Sequence, residues 1–469
     1  MNLTPLLKIA CNEWRRLWHA RVPALLFTVL VALWLIAALA AHHHWQDHAR
    51  TVAEVTQRSQ QDWQSQPNRH PHRVSHYGDF VAKPLHPLSV IEPGILDQSG
   101  HLVYLEAHRL NSANFNPATE ATSLGRFPLM TPAMIVQWWM PLFLIMMAYN
   151  TITAEKITGT LAFMRGNGTP GWQIAVGKWL ALFLPLLLLL CIQAALTWVW
   201  SRGSDQLELR LAAMLLAQIM YIAGWCLLVV AVSWHSRQLH SALLTLLLCW
   251  VCICIIFPRG LANLAQVLHP TQPRTEAEYH AEIKLKAIGD SHNPQDPHFA
   301  AFKAQLLKQY AVTRIEDLPV NYNGLLMQEG ERLTTAVYRE QQALHDQQLA
   351  KQNASIRLWC WLTPALALQY VQMASSGNDL AHHQAFISQA ENRRYQLIQY
   401  LNSIHSHKVV HADDKNTRVS AEFWQHAPRP AITMANMHVS QASLQTAFLI
   451  LLGWILLPGV FLFKVSQRT

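Results

Sequence analysis

Six stretches of this chain, 22–41, 133–153, 179–200, 211–233, 239–257 and 444–463, carry no Asp, Glu, Lys or Arg. A helix needs about 20 apolar residues to cross a bilayer, and charge in hydrocarbon is costly, so each run reads as a membrane span. Pro141, Pro185 and Pro458 fall inside these runs, as membrane helices tolerate. Buried helices of a soluble protein would carry charge on one face, which these runs lack. The chain is 51% hydrophobic, yet its mean hydropathy is only +0.10. Long polar segments must therefore separate the spans. The expected fold class is an α-helical polytopic membrane protein with six transmembrane helices and two extracytoplasmic inserts, the second mainly α-helical.

Flanking charge sets the orientation. Lys8, Arg15, Arg16 and Arg21 precede the first span, Lys156, Arg165 and Lys178 follow the second, Arg237 follows the fourth, and Lys464 and Arg468 end the chain. With six spans these all fall on one side, which the positive-inside rule makes cytoplasmic. The Lys and Arg residues form no long basic run, so the net charge of +8 points to the membrane rather than to nucleic acid. Ala38-Leu39-Ala40 could pass for a signal-peptidase site, but a signal peptide's apolar core spans about 7–15 residues. The expectation is that residues 22–41 are retained as an anchor. Only Cys360 of the seven cysteines falls in an outer segment, so no disulfide framework is expected. "CWVCIC" at 249–254 lies in an apolar run without a charged or His neighbour and reads as packing.

The segments follow in order. Residues 1–21 hold a cytoplasmic amphipathic helix, with Leu3, Leu6, Leu7, Ala10, Trp14, Leu17 and Trp18 on one face and Lys8, Asn12, Arg15 and Arg16 on the other, a pattern suited to the membrane interface. Residues 42–132 form the first insert, where loops with short helices or strands are expected. Residues 154–178 form a cytoplasmic link between the second and third spans. Residues 258–443 form the second insert. There Leu326, Leu333, Val337 and Leu344 mark one amphipathic helix, and Leu380, Phe386, Ala390 and Leu397 another. "LWCWLTPALALQYVQMA" at 358–374 is too short and too interrupted to span, and is expected to lie along the outer leaflet.

Catalytic chemistry is not in evidence. "GWQIAVGKW" at 171–179 has five residues between its glycines and Trp179 after the lysine. A phosphate-binding loop needs four and a Ser or Thr. No nucleotide hydrolysis by this chain is expected, and no nucleophile–base set points to an enzyme. All but three of the 25 histidines lie in the inserts. "HHHWQDH", "NRHPHRVSH" and "DLAHH" offer imidazole and carboxylate ligands, with Asp379, His382 and His383 as the candidate set. None matches a defined metal motif, so a polar surface without metal is expected.

The link "AEKITGTLAFMRGNGTPGWQIAVGK" resembles that of ABC-2-type ABC transporter permeases, through Glu155, Gly159-Thr160-Leu161 and Gly177-Lys178. The second acid usual beside the Glu is Lys156 here. The N-terminal helix is similar to the elbow helix of that family. "NYNG", "LTPALAL", "GNDL", "HHQAF" and "AENRR" resemble a branch with large extracytoplasmic inserts of unassigned function, within a wider group that includes permeases tied to copper-enzyme maturation; Thr363 and Asn378 stand where Ser and Thr are usual. The resemblance implies an export permease of the bacterial inner membrane with cytoplasmic termini and periplasmic inserts. ATP and Mg²⁺ would be bound by a separate cytoplasmic ATPase, and a second permease, identical or paralogous, would complete the path. Membrane lipids surround it, and a periplasmic partner is the further candidate. The residues expected to couple it to the ATPase are Glu155, Lys156, Gly159, Thr160, Leu161, Phe163 and Met164. In this reading residues 154–164 form a short helix, with Leu161, Phe163 and Met164 as apolar anchors for a groove on the ATPase.

A cysteine placed at Asn68 or Ser291 in a variant stripped of native cysteines should react with a membrane-impermeant reagent in intact cells. Reaction only after lysis, or a mature protein beginning near Ala41, would overturn this arrangement.

Overall fold

The computed structural model describes residues 3–108, 130–289 and 296–468; parts of both expected inserts, Ser291 included, lie outside them. Helix makes up 78% of the structure, so the segments between the spans are helical too. The helices are α1 (Leu3–His19), α2 (Arg21–Gln64), α3 (Pro71–Ser75), α4 (132–148), α5 (Thr153–Ile157), α6 (Thr160–Gly166), α7 (Gly171–Trp200), α8 (Leu207–His235), α9 (Leu239–Leu268), α10 (Arg274–Ile288), α11 (Pro297–Gln309), α12 (Tyr322–Trp359), α13 (Pro364–Ser376), α14 (Leu380–Lys408) and α15 (Gln441–Arg468). Strands β1 (Asp79–Ala82) and β2 (Leu102–Leu105) pair antiparallel, with Phe80 opposite Tyr104. Among the described residues, six helices are long and apolar enough to cross a membrane: α2, the run Pro132–Ile157, α7, α8, α9 and α15. They pack around one apolar core that includes Trp34, Ile135, Met140, Leu186, Trp225, Trp234 and Leu451. Inside it one polar chain links three of the helices. Trp34 Nε1 donates to Gln193 Oε1 at 2.9 Å, and Gln193 Nε2 donates to Gln218 Oε1 at 3.1 Å.

α2 does not stop where its apolar run stops. No Gly or Pro occurs between Pro23 and Pro67, so nothing breaks the helix at Ala41, and it continues to Gln64. Its 44 residues make a rod of about 66 Å, roughly twice the thickness of bilayer hydrocarbon. The far half reaches a helical domain built on the antiparallel pair α12 and α14. There Trp63, 2% exposed, donates from Nε1 to the Trp424 carbonyl at 2.7 Å. Asp79 of β1 accepts from Ser59 of α2 at 3.0 Å and from Arg393 Nη2 of α14 at 2.7 Å, and also pairs with Arg429.

On α14 the expected residues Phe386, Ala390 and Leu397 are buried. On α12 the expected Val337 is buried, but Leu326 and Leu333 are only half-buried and Leu344 is exposed; Gly324, Met327, Glu331 and Thr335 complete the buried stripe. The reason is ionic. Arg394 of α14 donates to Glu331 Oε1 at 2.6 Å and to Glu391 Oε2 at 2.7 Å. A buried guanidinium with two carboxylates and Thr335 replaces a leucine seam, as burial of a charge requires such partners.

Of the segment 358–374, expected along the outer leaflet, the residues from Thr363 on pack inside the bundle, while Leu358, Trp361 and Leu362 stay exposed. α12 ends at Trp359, a 3₁₀ turn follows at Cys360–Leu362, and α13 begins at Pro364. Ala365, Ala367, Leu368, Val371 and Ala374 are fully buried, and α13 packs on α8 and α15. Small residues permit this close approach. Trp361 lies over Gly453, midway along α15. The ends of α13 are met by polar partners: Gln137 Nε2 donates to the Ala365 carbonyl at 3.2 Å, and Arg210 donates to the Ser375 carbonyl at 3.2 Å. Two spans carry π-helical turns, at Ile135–Trp139 and Cys252–Ile256. These wide turns leave carbonyls for outside donors. Gln137 O takes the Tyr221 hydroxyl at 2.7 Å, and Ile253 O takes the Thr363 hydroxyl at 2.7 Å.

Trp63→Ala should destabilise the domain at the far end of α2 by about 3–5 kcal/mol, the usual cost of removing a buried Trp. Denaturant titration in detergent would measure it. A loss below about 1 kcal/mol would mean that α2 is not anchored there.

Candidate functional site

The end of the bundle opposite that domain gathers α1, the link between α4 and α7, and the ends of α8 and α15. α1 lies against α7 because position 177 is glycine: a Cβ there would come within 2.7 Å of Ile9 Cγ2. The next residue, Lys178, is 3% exposed. Its Nζ donates to Glu13 Oε2 of α1 at 2.6 Å and to Glu155 of α5. Glu13, 2% exposed, also accepts from Arg16 Nε at 2.9 Å and from the Thr151 hydroxyl at 2.6 Å. One lysine thus ties three separate elements together through two carboxylates. Burial alone would raise the Glu13 carboxyl, but Arg16 and Lys178 outweigh it and hold it down at about 2.

Glu13 escaped the sequence reading. The signal was present: it is the one acid of α1, and it sits with Leu6, Ala10 and Leu17 on the buried face. Leu7, Trp14 and Trp18, grouped with that face by spacing, are exposed. Lys156 belongs elsewhere. Its Nζ donates to the Trp234 carbonyl and, at 3.4 Å, to the Ser236 carbonyl, where a cation suits the C-terminus of α8. Thr153 strengthens this seam, with its hydroxyl donating to the Ser233 carbonyl at 2.7 Å.

The link is not one helix over 154–164. Gly159, at φ +79°, adopts a conformation that L side chains avoid, and it separates α5 from α6. Thr160 opens α6, its hydroxyl 2.9 Å from that of Thr158. Two of the three apolar anchors turn inward: Leu161 is 5% exposed, and Met164 packs against the core. Phe163, 73% exposed, and Ile157, 60% exposed, face outward. Between α1 and the link opens a cleft of about 1090 Å³, whose lining includes Lys8, Arg15, Arg16 and His19 as well as Glu155 and Lys178.

The candidate metal residues lie at the other end. Asp379 caps α14, accepting from the His382 backbone N–H at 3.0 Å, contacts His382 Nδ1 at 2.6 Å, and accepts from the Ser440 hydroxyl. Burial would raise its carboxyl, but His382 and Ser440 bring it below the usual range. His383 Nδ1 is buried without a partner among the described residues, and burial pushes that ring down to about 4. Among the described residues, the three-ligand groups that converge are others: His72, His76 and His108, and His70, His405 and Asp414.

Glu13→Gln should free α1, since breaking a buried ion pair costs roughly 3–5 kcal/mol. The depressed Glu13 carboxyl also gives a pH signature. Its contribution is complete above about 4.5 and is lost as pH falls toward about 2. Hydrogen exchange of α1, corrected for intrinsic rates and followed from pH 7 to pH 3, should report this loss in the native chain and a flatter profile in Glu13→Gln. Equal profiles would refute the anchoring role.

A family model described as a domain of unknown function (DUF3526) matches residues 275–430, a segment from α10 to just before α15 that contains Asp379, His382 and Arg394 but none of Glu13, Glu155 or Lys178. No curated protein matches the chain.

Proposed function

We propose that this chain is the permease subunit of an export-type, ABC-2-like ABC transporter of the bacterial inner membrane. The observation that carries the reading is the Glu13–Lys178–Glu155 junction. It joins the amphipathic helix, the interspan link and the third span, so a push on the link moves α1 and α7 together. ATP and Mg²⁺ belong to a separate cytoplasmic ATPase seated in the cleft beside the link, with Phe163 and Ile157 as its apolar contacts. The chain itself is not an enzyme in this reading. Both termini are cytoplasmic, the domain at the far end of α2 is periplasmic, and a second permease, identical or paralogous, completes the assembly.

The mechanical alternative has its own support. α2 runs unbroken from its first turn at Arg21 into that domain, and the spans surround a continuous apolar core in which Gln193 and Gln218 bond each other. In that reading the ATPase cycle moves the periplasmic domain against a partner protein and nothing crosses. Substrate-stimulated ATP turnover favours transport; an ATP-driven movement of the outer domain, with turnover indifferent to substrate, favours the mechanical role.

The test shared by both readings is Phe163→Asp, a change at an exposed site that leaves insertion intact. It should reduce ATPase co-purification at least tenfold, and Glu155→Lys, which sets a third cation beside Lys178 and Arg16, should uncouple ATP turnover. Unchanged co-purification and turnover in both variants would defeat the proposal.

A further inference from the structure

Three imidazoles meet at the edge of the domain, far from the charged junction. His72 sits in α3 and His76 just after it, one helical turn on, while His108 comes from the segment following β2. Their ligand atoms all lie within 4.8 Å of one another. His72 Nε2 and His76 Nε2 are 3.4 Å apart. That is long for an N–H···N hydrogen bond, whereas two nitrogens bound to one tetrahedral ion at about 2.0–2.1 Å stand about 3.3–3.4 Å apart.

The surroundings hold these rings in place. His108 Nδ1 lies 3.2 Å from Glu331 Oε2, and the same oxygen accepts from the His108 backbone N–H at 3.3 Å. Glu331 is fully buried and is itself held by Arg394 and Thr335. A carboxylate on Nδ1 fixes the tautomer and leaves Nε2 as the ligand atom, the usual outer-shell arrangement of metal-bound histidine. The His108 backbone is at φ +62°, a conformation uncommon for a residue with a side chain, and Glu331 grips the residue by both main chain and ring. His70 performs a similar task for His72: its Nδ1 accepts from the His72 backbone N–H at 3.2 Å, capping α3. His70 is in turn packed against His405, with Asp414 beside both. His72 and His108 are half-buried and His76 is exposed, so an ion can reach the site and retain a water as fourth ligand.

We infer that His72, His76 and His108 form a three-histidine site for a divalent transition metal, Cu²⁺ or Zn²⁺, with Glu331 as the orienting carboxylate of His108. Neutral nitrogen donors without a thiolate or a direct carboxylate suit borderline ions and disfavour Mg²⁺ and Ca²⁺. Three protein ligands and an open position describe a site able to exchange its metal or act through it, in contrast to a closed structural site. The set lies outside the Asp379–His382–His383 group, whose members are engaged at the start of α14 or point elsewhere. It also requires residues from both polar segments: the three histidines precede α4, and their orienting acid lies on α12.

The test uses the full chain, purified in detergent through a tag free of histidine and stripped with chelator. Titration with Cu²⁺ or Zn²⁺ alone at pH 7.5 should reveal one ion per chain at submicromolar affinity, with Cu²⁺ the tighter. His76→Ala changes an exposed residue and should not disturb folding, yet should weaken binding at least tenfold; His72→Ala/His76→Ala should abolish the site. Glu331→Gln should weaken it by about 10–100-fold, with a thermal melt to confirm that the domain is intact. His382→Ala/His383→Ala should bind as the native chain does. Electron paramagnetic resonance of the Cu²⁺ form should report three nitrogen ligands, falling to two in His76→Ala. Absence of a saturable site in the native chain, or a site of unchanged affinity in the double histidine variant, would overturn the assignment.

Discussion

A lysine ammonium buried at the foot of a membrane helix is tolerable only with full compensation, because an ion loses several kcal/mol of solvation on leaving water. Lys178 obtains that compensation from Glu13 and Glu155, which arrive from opposite directions along the chain. The whole end of the bundle follows from this. α1 must lie flat against α7 for Glu13 to reach; position 177 must be glycine for α1 to come that close; and α5 must begin where the α4 run ends, or Glu155 would point elsewhere. Arg16 and Thr151 then complete the coordination of Glu13. Removing either carboxylate leaves Lys178 one partner in place of two and cuts the tie of α1 or α5 to the third span.

The opposite end is built on the same logic with other partners. Arg394 stands between Glu331 and Glu391, and Asp79 stands between Arg393 and Arg429. Charge satisfied by geometry, more than an apolar seam, fastens α14 to α12 and the strands to the far half of α2. Rigid helices join the two ends. α2 spans from its first turn to the domain without a break, while α12 and α13 return from the domain into the bundle, where Thr363 and Trp361 engage α9 and α15. A displacement at one end therefore has two stiff routes to the other.

Much of this was legible in the residues, for a clear reason. Apolar runs free of charge are unambiguous, and all six coincide with helices long enough to span. Glu155 and Gly177-Lys178 stood out as motif residues, but their pairing did not, and the break at Gly159 was not read from the sequence. What could not be read depends on partners distant in sequence. Glu13 looks like one more polar residue of an amphipathic helix until Lys178 is placed beside it. Glu331 breaks the apolar pattern of α12 and makes sense only opposite Arg394. The 358–374 segment is too short and interrupted to span, and its place against α8 and α15 rests on Gln137, Arg210 and Thr363 finding partners distant in sequence. Leu161 and Met164 appear to be exposed anchors until α6 turns at Gly159 and buries them.

Glu13 and Lys178 are separated by 165 residues, and the ribosome makes them in that order. At about 5–20 residues per second, roughly 8–33 s pass between them. Through that interval Lys178 is missing from the partners of Glu13, and Arg16 is the nearest in sequence of those already made. Only when the third span enters does the lysine arrive to draw the helix onto the bundle. Closing the junction is thus a late step: the amino-terminal helix cannot reach its final place until the third span has been made.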